Sequence, residues 1–212
     1  MCGRIAQTLS LHDLPTYMNV QQGCENISIA HFSYNVAPGS RIIVLLLNHN
    51  QEKAWDRLQW GIMPAWKQPK RVINARAEMV RQKSMFRKSW QQRRVLIPVT
   101  AYYEWRRVEN TKQPYCIRRK HGYPFLLAGL YKEDECVIIT RPARKDITFI
   151  HDRMPVIIDD FLADAYLNQA NVAHEMLFLG HDYYNLEIYP VTKRIGNPKF
   201  NEPRCLESID FE

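Results

Sequence analysis

The sequence predicts an α+β domain centred on a curled, mostly antiparallel sheet, a pseudo-barrel, with short helices at its periphery. Apolar or alternating runs of strand length recur from one end to the other, and the helical stretches between them are few and short. The 212 residues, 46% of them hydrophobic, continue without linker, internal repeat or low-complexity tract. That is enough chain for one sizeable core, so a single domain over residues 2–212 is expected.

Taken in order, Ile5-Ala6-Gln7 forms a short strand and Leu11–Val20 a brief helix despite Pro15. Tyr34–Gly39 makes a turn into Arg41–Leu47, whose Ile and Val content marks a buried strand. Ala54–Ile62 alternates as the next strand, and Trp60–Trp66 follows as a loop punctuated by Gly61 and Pro64. Ile73–Glu78 opens a run of good helix formers, and Ser84 caps a second helix reaching Arg93. Arg94–Val99 is a strand that continues into Ala101–Trp105. Pro114–Arg119, Tyr123–Tyr131 and Glu135–Thr140 read as a three-stranded antiparallel meander joined by Lys120-His121-Gly122 and Lys132-Glu133-Asp134. A charged loop, Ile150–Pro155, leads to a helix capped by Asp159 or Asp160 and ending at Asn168, then to a helix over Val172–Leu179. Leu186–Val191 is the last strand, and Thr192–Asn197 a polar loop.

Composition removes several function classes. The first thirty residues lack a basic start followed by an apolar run, and no window approaches a membrane span, so a cytoplasmic protein is expected. Five widely spaced cysteines without a CxxC pair or a Cys/His cluster at zinc spacing predict reduced thiols, no metal and no cofactor. There is no GxGxxG, P-loop or GxSxG sequence. The net charge of +7 is concentrated: Lys67 to Arg94 holds ten basic residues against one acid, Glu78. With Trp66, Phe86 and Trp90 interleaved, this stretch suits single-stranded nucleic acid, whose phosphates meet the cations and whose bases stack on aromatic faces; a solvated helix face is the plainer alternative.

The start of the chain carries the most distinctive chemistry. Once Met1 is removed, Cys2 presents an α-amine and a thiol on adjacent carbons, both nucleophilic near neutral pH. An aldehyde would form a Schiff base with the amine and be closed by sulfur into a thiazolidine. Arg4 and Arg76 are expected to favour the thiolate. Glu104, a carboxylate among aromatics at the end of an apolar strand, either pairs with an arginine or moves protons. His151 is a lone histidine of a kind more often structural than catalytic.

Eight motifs stand in order: MCGR at the start, YNVAPG at Tyr34–Gly39, WGxxPxW at Trp60–Trp66, INAR(x)E at Ile73–Glu78, YYEW at Tyr102–Trp105, KQPY at Lys112–Tyr115, IIT at Ile138–Thr140 and HDRMP at His151–Pro155. Together they resemble the SRAP (SOS-response-associated peptidase) family from Cys2 to about Asn197. The resemblance implies binding of abasic sites in single-stranded DNA and a covalent thiazolidine crosslink through Cys2, with removal of Met1 by the protein itself and abasic-site lyase chemistry as related activities. It implies Cys2 as nucleophile, Asn74 and His151 holding or polarising the opened sugar, and Glu104 in proton transfer. Arg4, Trp66, Arg76, Thr140 and Arg153 fall at DNA-contacting positions. It also implies a monomer acting on cytoplasmic, nucleoid-associated DNA during damage. Two rival readings stay open at this point: a non-catalytic single-stranded nucleic-acid-binding module, and an N-terminal-nucleophile amidotransferase.

Overall fold

The computed structural model describes residues 2–9, 13–28, 31–64, 70–178 and 185–209. Its strands are β1 (Ile5–Gln7), β2 (Ser33–Val36), β3 (Arg41–Leu47), β4 (Lys53–Trp60), β5 (Asn74–Arg76), β6 (Arg94–Val99), β7 (Ala101–Val108), β8 (Thr111–Arg119), β9 (Phe125–Lys132), β10 (Glu135–Pro142), β11 (Arg153–Pro155), β12 (Ile157–Ile158) and β13 (Leu186–Pro190). The helices are α1 (Asp13–Thr16), α2 (Ser84–Gln92), α3 (Ala163–Asn168) and α4 (Ala170–Met176). One sheet has the order β13-β8-β7-β1-β2; the other runs β11-β10-β4-β3-β6-β9-β12, with β5 added on β10. Because β10 pairs with both β4 and β9, the larger sheet curls back on itself. The β10–β4 junction is only two parallel pairs long, so the curl stops short of a regular barrel.

The two sheets are stitched together at Gln7. Its buried side-chain amide donates to the carbonyls of Ile43 and Pro98 at 2.8 Å and accepts from the Ile43 N–H at 3.0 Å. A side chain here replaces the backbone ladder that β3 and β6, paired only at Leu45 and Leu96, do not complete. Residues 2–7 are thereby clamped between the sheets. An apolar cluster including Ile5, Trp60, Tyr102, Phe125 and Ile138 encloses Cys2. A second cluster packs α2, α3 and α4 on the outer face of the larger sheet, where the buried Arg94 guanidinium caps helix ends by donating to the carbonyls of Trp90, Tyr166 and Leu167.

Several expectations are corrected. Ile73–Glu78 is not helical: Asn74–Arg76 is a strand parallel to Ile138–Thr140, followed by a single 3-10 turn at Ala77–Met79. The edge of β10 beyond its contact with β4 is open for pairing, and that tertiary bonding outweighs the helix preference of Ala-Arg-Ala-Glu, which over so few residues is small. The meander is divided. β9 and β10 pair as expected, but β8 has one edge filled by β7 over seven residue pairs and the other by β13, which leaves none for β9. Residues Arg153–Pro155, expected in a loop, pair with β10. The early helix shrinks to Asp13–Thr16, with Leu11 outside the described residues. Ser84 is the first residue of α2, and Lys83 occupies the cap position without a side-chain bond.

Candidate active site

Cys2 is fully buried at the point where β1, β5 and β7 converge. Asn74, the first residue of β5, donates from Nδ2 to the Cys2 carbonyl oxygen at 2.9 Å, and its Oδ1 is buried without a hydrogen-bond partner. The preceding residue fixes Asn74: the Ile73 carbonyl accepts from the Trp60 indole N–H at 3.0 Å and from the Ile138 N–H at 3.1 Å. Gly61, next to that tryptophan, has φ +115, and a Cβ there would come within 2.9 Å of the Arg71 Cβ. These contacts give the Trp60-Gly61 and Ile73-Asn74 motifs a shared structural purpose, the placement of one amide against the chain start.

Along β7, residues two apart share a face. Tyr103 packs outward, its hydroxyl donating to the Tyr34 carbonyl at 2.8 Å, while Tyr102 faces the cluster around Cys2. Glu104 is buried, with Oε1 accepting from the Trp105 N–H at 3.2 Å. Burial first, and the Glu104 carboxylate second, push the Cys2 thiol far above its ordinary range. The protein therefore holds a neutral thiol, against the expectation that arginines favour a thiolate. Arg4 is turned away, donating to Asn35 Oδ1 and the Ile195 carbonyl, each at 2.7 Å. Tyr102 is not among the residues that the sequence singles out. Its hydroxyl is buried and without a hydrogen-bond partner, and burial, Cys2 and Glu104 together raise its pKa. The alternation of Tyr102 and Glu104 within the YYEW motif is the signal that points to it.

Glu104 and His151 line one cleft of about 610 Å³, with Arg4, Trp105, Arg107 and Lys112 around it. His151 Nδ1 lies 3.0 Å from the Arg153 N–H and 2.7 Å from Asp152 Oδ1. It cannot both accept from the first and donate to the second. The backbone donor sits at the head of a paired strand whereas Asp152 is solvated, so Nδ1 is the acceptor and the ring proton belongs on Nε2. A second cleft, of about 700 Å³, is lined by Asn74, Arg76, Met79, Lys83, Met85 and Phe86. A third cavity, about 910 Å³ over Gln22, Asn48, Arg93 and Asn168, contains none of the catalytic or DNA-contacting residues named from the sequence.

The structure thus places Asn74 on Cys2 and Glu104 within electrostatic reach of its thiol, while Glu104 shares its cleft with His151. Arg76 is exposed on β5 opposite Thr140, which is completely buried. Arg153 is bonded inward, to the Glu78 carboxylate at 2.6 and 3.0 Å and to the Thr140 carbonyl at 2.6 Å. Trp66 lies outside the described residues. The basic segment is not one surface, since Arg94 is buried and Arg71 pairs with Glu135, while Arg76, Arg81, Lys83, Arg87 and Lys88 remain exposed. Among the described residues all five cysteines are free, no group of His, Cys, Asp and Glu could hold a metal, and no helix is long and apolar enough to cross a membrane.

Known proteins resemble this chain over nearly its whole length. It is 33% identical to the abasic site processing protein YoqW of Bacillus subtilis, an alignment covering 98% of this chain and all of that one. It is 29% identical to the abasic site processing protein YedK of Escherichia coli over 99% of this chain and all of the relative. A solved phage-related protein from Bordetella bronchiseptica superposes with a TM-score of 0.76 at 28% identity, covering 91% of this chain and 95% of that chain. A Bacteroides thetaiotaomicron protein shares the fold with a TM-score of 0.78 at 20% identity, covering 98% of this chain and all of that one. The SOS response associated peptidase (SRAP) model matches residues 1–198, nearly the whole length, and the chain belongs to the SRAP family.

Proposed function

We propose that this protein, with Met1 removed, captures abasic sites in single-stranded DNA by forming a thiazolidine on Cys2. The observation that carries this reading is the convergence of the Asn74 amide on the Cys2 carbonyl, with Glu104 and His151 lining the adjoining cleft. The names of the relatives, abasic site processing proteins, support the same substrate.

The steps follow from the groups present. The free α-amine adds to the C1′ aldehyde of the opened sugar and gives a carbinolamine. Glu104 or the His151 Nε2–H supplies the proton with which its hydroxyl leaves as water, and a protonated imine remains. The Cys2 sulfur then adds to the imine carbon while its proton passes to Glu104, closing the five-membered ring. Because the thiol is neutral at rest, its proton must leave as the carbon–sulfur bond forms, and Glu104 is the carboxylate whose charge the thiol feels. Asn74 keeps the Cys2 carbonyl, and with it the amine and thiol, in one orientation. Arg76 and Lys83 on the neighbouring cleft take the phosphates on one side of the lesion. If sulfur closure is delayed, the imine can expel the 3′ phosphate by β-elimination, which is a lyase reaction. Removal of Met1 uses Cys2 and Glu104 again: the Cys2 sulfur takes over the methionyl carbonyl from its own nitrogen while the thiol proton passes through Glu104 to that nitrogen, and water hydrolyses the resulting thioester. The protein acts on DNA as a monomer in this reading.

The test is a denaturing gel. Trimmed protein mixed with a single-stranded oligonucleotide bearing one abasic site is expected to give an adduct stable to heat and detergent, absent with the intact oligonucleotide and absent for Cys2→Ala. A Cys2→Ala protein that behaves like wild type would leave only the non-catalytic binding module.

A further inference from the structure

Glu78 is the single acid of the basic segment, and its hydrogen-bonded partner lies outside that segment. It reaches from the 3-10 turn that follows β5 to Arg153 at the head of β11, and both guanidinium Nη atoms donate to its carboxylate. The Arg153 side chain is only 12% exposed, and the pairing holds the Glu78 carboxyl below the usual carboxylate range. The two strands joined in this way flank β10 on opposite edges. Thr140 is paired with Arg76 on one side and with Pro155 on the other, and its carbonyl accepts a third bond from the same guanidinium. One edge carries Asn74, bonded to Cys2; the other is entered through His151, whose Nδ1 accepts from the Arg153 N–H.

We propose that Glu78 is a positioning residue: by clamping Arg153 across β10 it fixes the segment bearing His151 against the segment bearing Asn74, and keeps the His151 ring proton on Nε2. A bidentate carboxylate–guanidinium pair is suited to this because it fixes direction as well as distance. Its cost is that both Nη groups of Arg153, although basic, are taken up by Glu78 and Thr140. The proposal deepens the reading of the site as one of covalent capture.

The test has two independent readouts on Glu78→Gln, which keeps the shape but loses the charge and one acceptor. Without DNA, long-range 1H–15N spectra of the His151 imidazole are expected to show an unprotonated Nδ1 in the wild type, and in the variant a shift of both nitrogens toward the average of two tautomers. With abasic oligonucleotide at saturation, the crosslinking rate should fall by roughly tenfold or more, while affinity for the strand stays within about twofold. Arg153→Lys, which keeps the charge but not the fork, should reproduce both changes and stands in if Glu78→Gln does not fold. An unchanged imidazole spectrum with an unchanged rate overturns the proposal, as does a loss of affinity alone. If the wild type forms no adduct, covalent capture fails, and the imidazole signal still decides the clamp.

Discussion

Asn74 and Cys2, 72 residues apart in sequence, are joined by one hydrogen bond from an amide Nδ2–H to a carbonyl oxygen, 2.9 Å long. It ties the chain start, which leads into one sheet, to a strand of the other. Asn74→Ala and Asn74→Asp both remove the donor and leave the Trp60 anchor on Ile73 in place, so both proteins should fold. Each should form adduct more slowly by roughly ten- to a hundredfold at saturating oligonucleotide, as expected for a lost buried hydrogen bond of about 1–3 kcal/mol. An Asn74→Asp protein as fast as wild type would show that the amide donates nothing the reaction uses.

Glu104→Gln removes the acceptor for the thiol proton while keeping the side chain's shape. In protein freed of Met1 beforehand by an aminopeptidase, adduct formation should slow by roughly a hundredfold or more, the scale of a positioned general acid–base group. The variant should also keep Met1, read as a mass heavier by one methionine residue. Prompt trimming would mean that methionine removal does not use this carboxylate.

The buried thiols make stability depend on alkaline pH. Burial holds Cys2, Cys136 and the Tyr102 phenol far above their ordinary ranges and pushes the Cys116 thiol up to about 12. The unfolded chain begins to release thiol protons at about pH 8.5, whereas the folded chain retains them, so the folded form binds more protons and unfolding becomes easier as pH rises. The thermal midpoint should be flat from neutral pH to that point and fall above it, as stability drops by roughly 1.4 kcal/mol per pH unit for each such thiol in the window where only the unfolded form is ionised. Cys136→Ala should flatten the decline by about one group. A midpoint that rises between about pH 9 and 11 would contradict the assignment.

Much of this fold is legible in the sequence where burial has a period. The runs at Arg41–Leu47, Arg94–Val99 and Glu135–Thr140 are strands because continuous Ile, Val and Leu suit a sheet covered on both faces. Asn74–Arg76 is illegible for the opposite reason: three residues hold no period, and their strand state comes from an open edge on β10, more than sixty residues away. The same limit applies to the site. The chemistry of residue type brings Cys2 and Glu104 forward as candidates, and the family resemblance adds Asn74 and His151. Neither reveals that Arg4 bonds inward to Asn35, that Arg153 is held by Glu78, or that the thiol is neutral, since those follow from burial and partners rather than residue type.

Charge reversal at the exposed Arg76 tests the path of the strand. Arg76→Glu should weaken binding of single-stranded DNA and reduce the slope of log affinity against log salt by roughly 0.7 for each phosphate that is no longer neutralised. A weakened affinity with an unaltered slope would place Arg76 off the backbone.

The most direct measurement is the intact mass of the protein after exposure to a single-stranded oligonucleotide with one abasic site. The predicted species weighs the chain without Met1 plus the oligonucleotide less one water, and borohydride adds no hydrogen to it, because a thiazolidine has no imine left to reduce. A trimmed protein that keeps its unmodified mass, or an adduct that gains two hydrogens from borohydride, would contradict ring closure by the Cys2 sulfur.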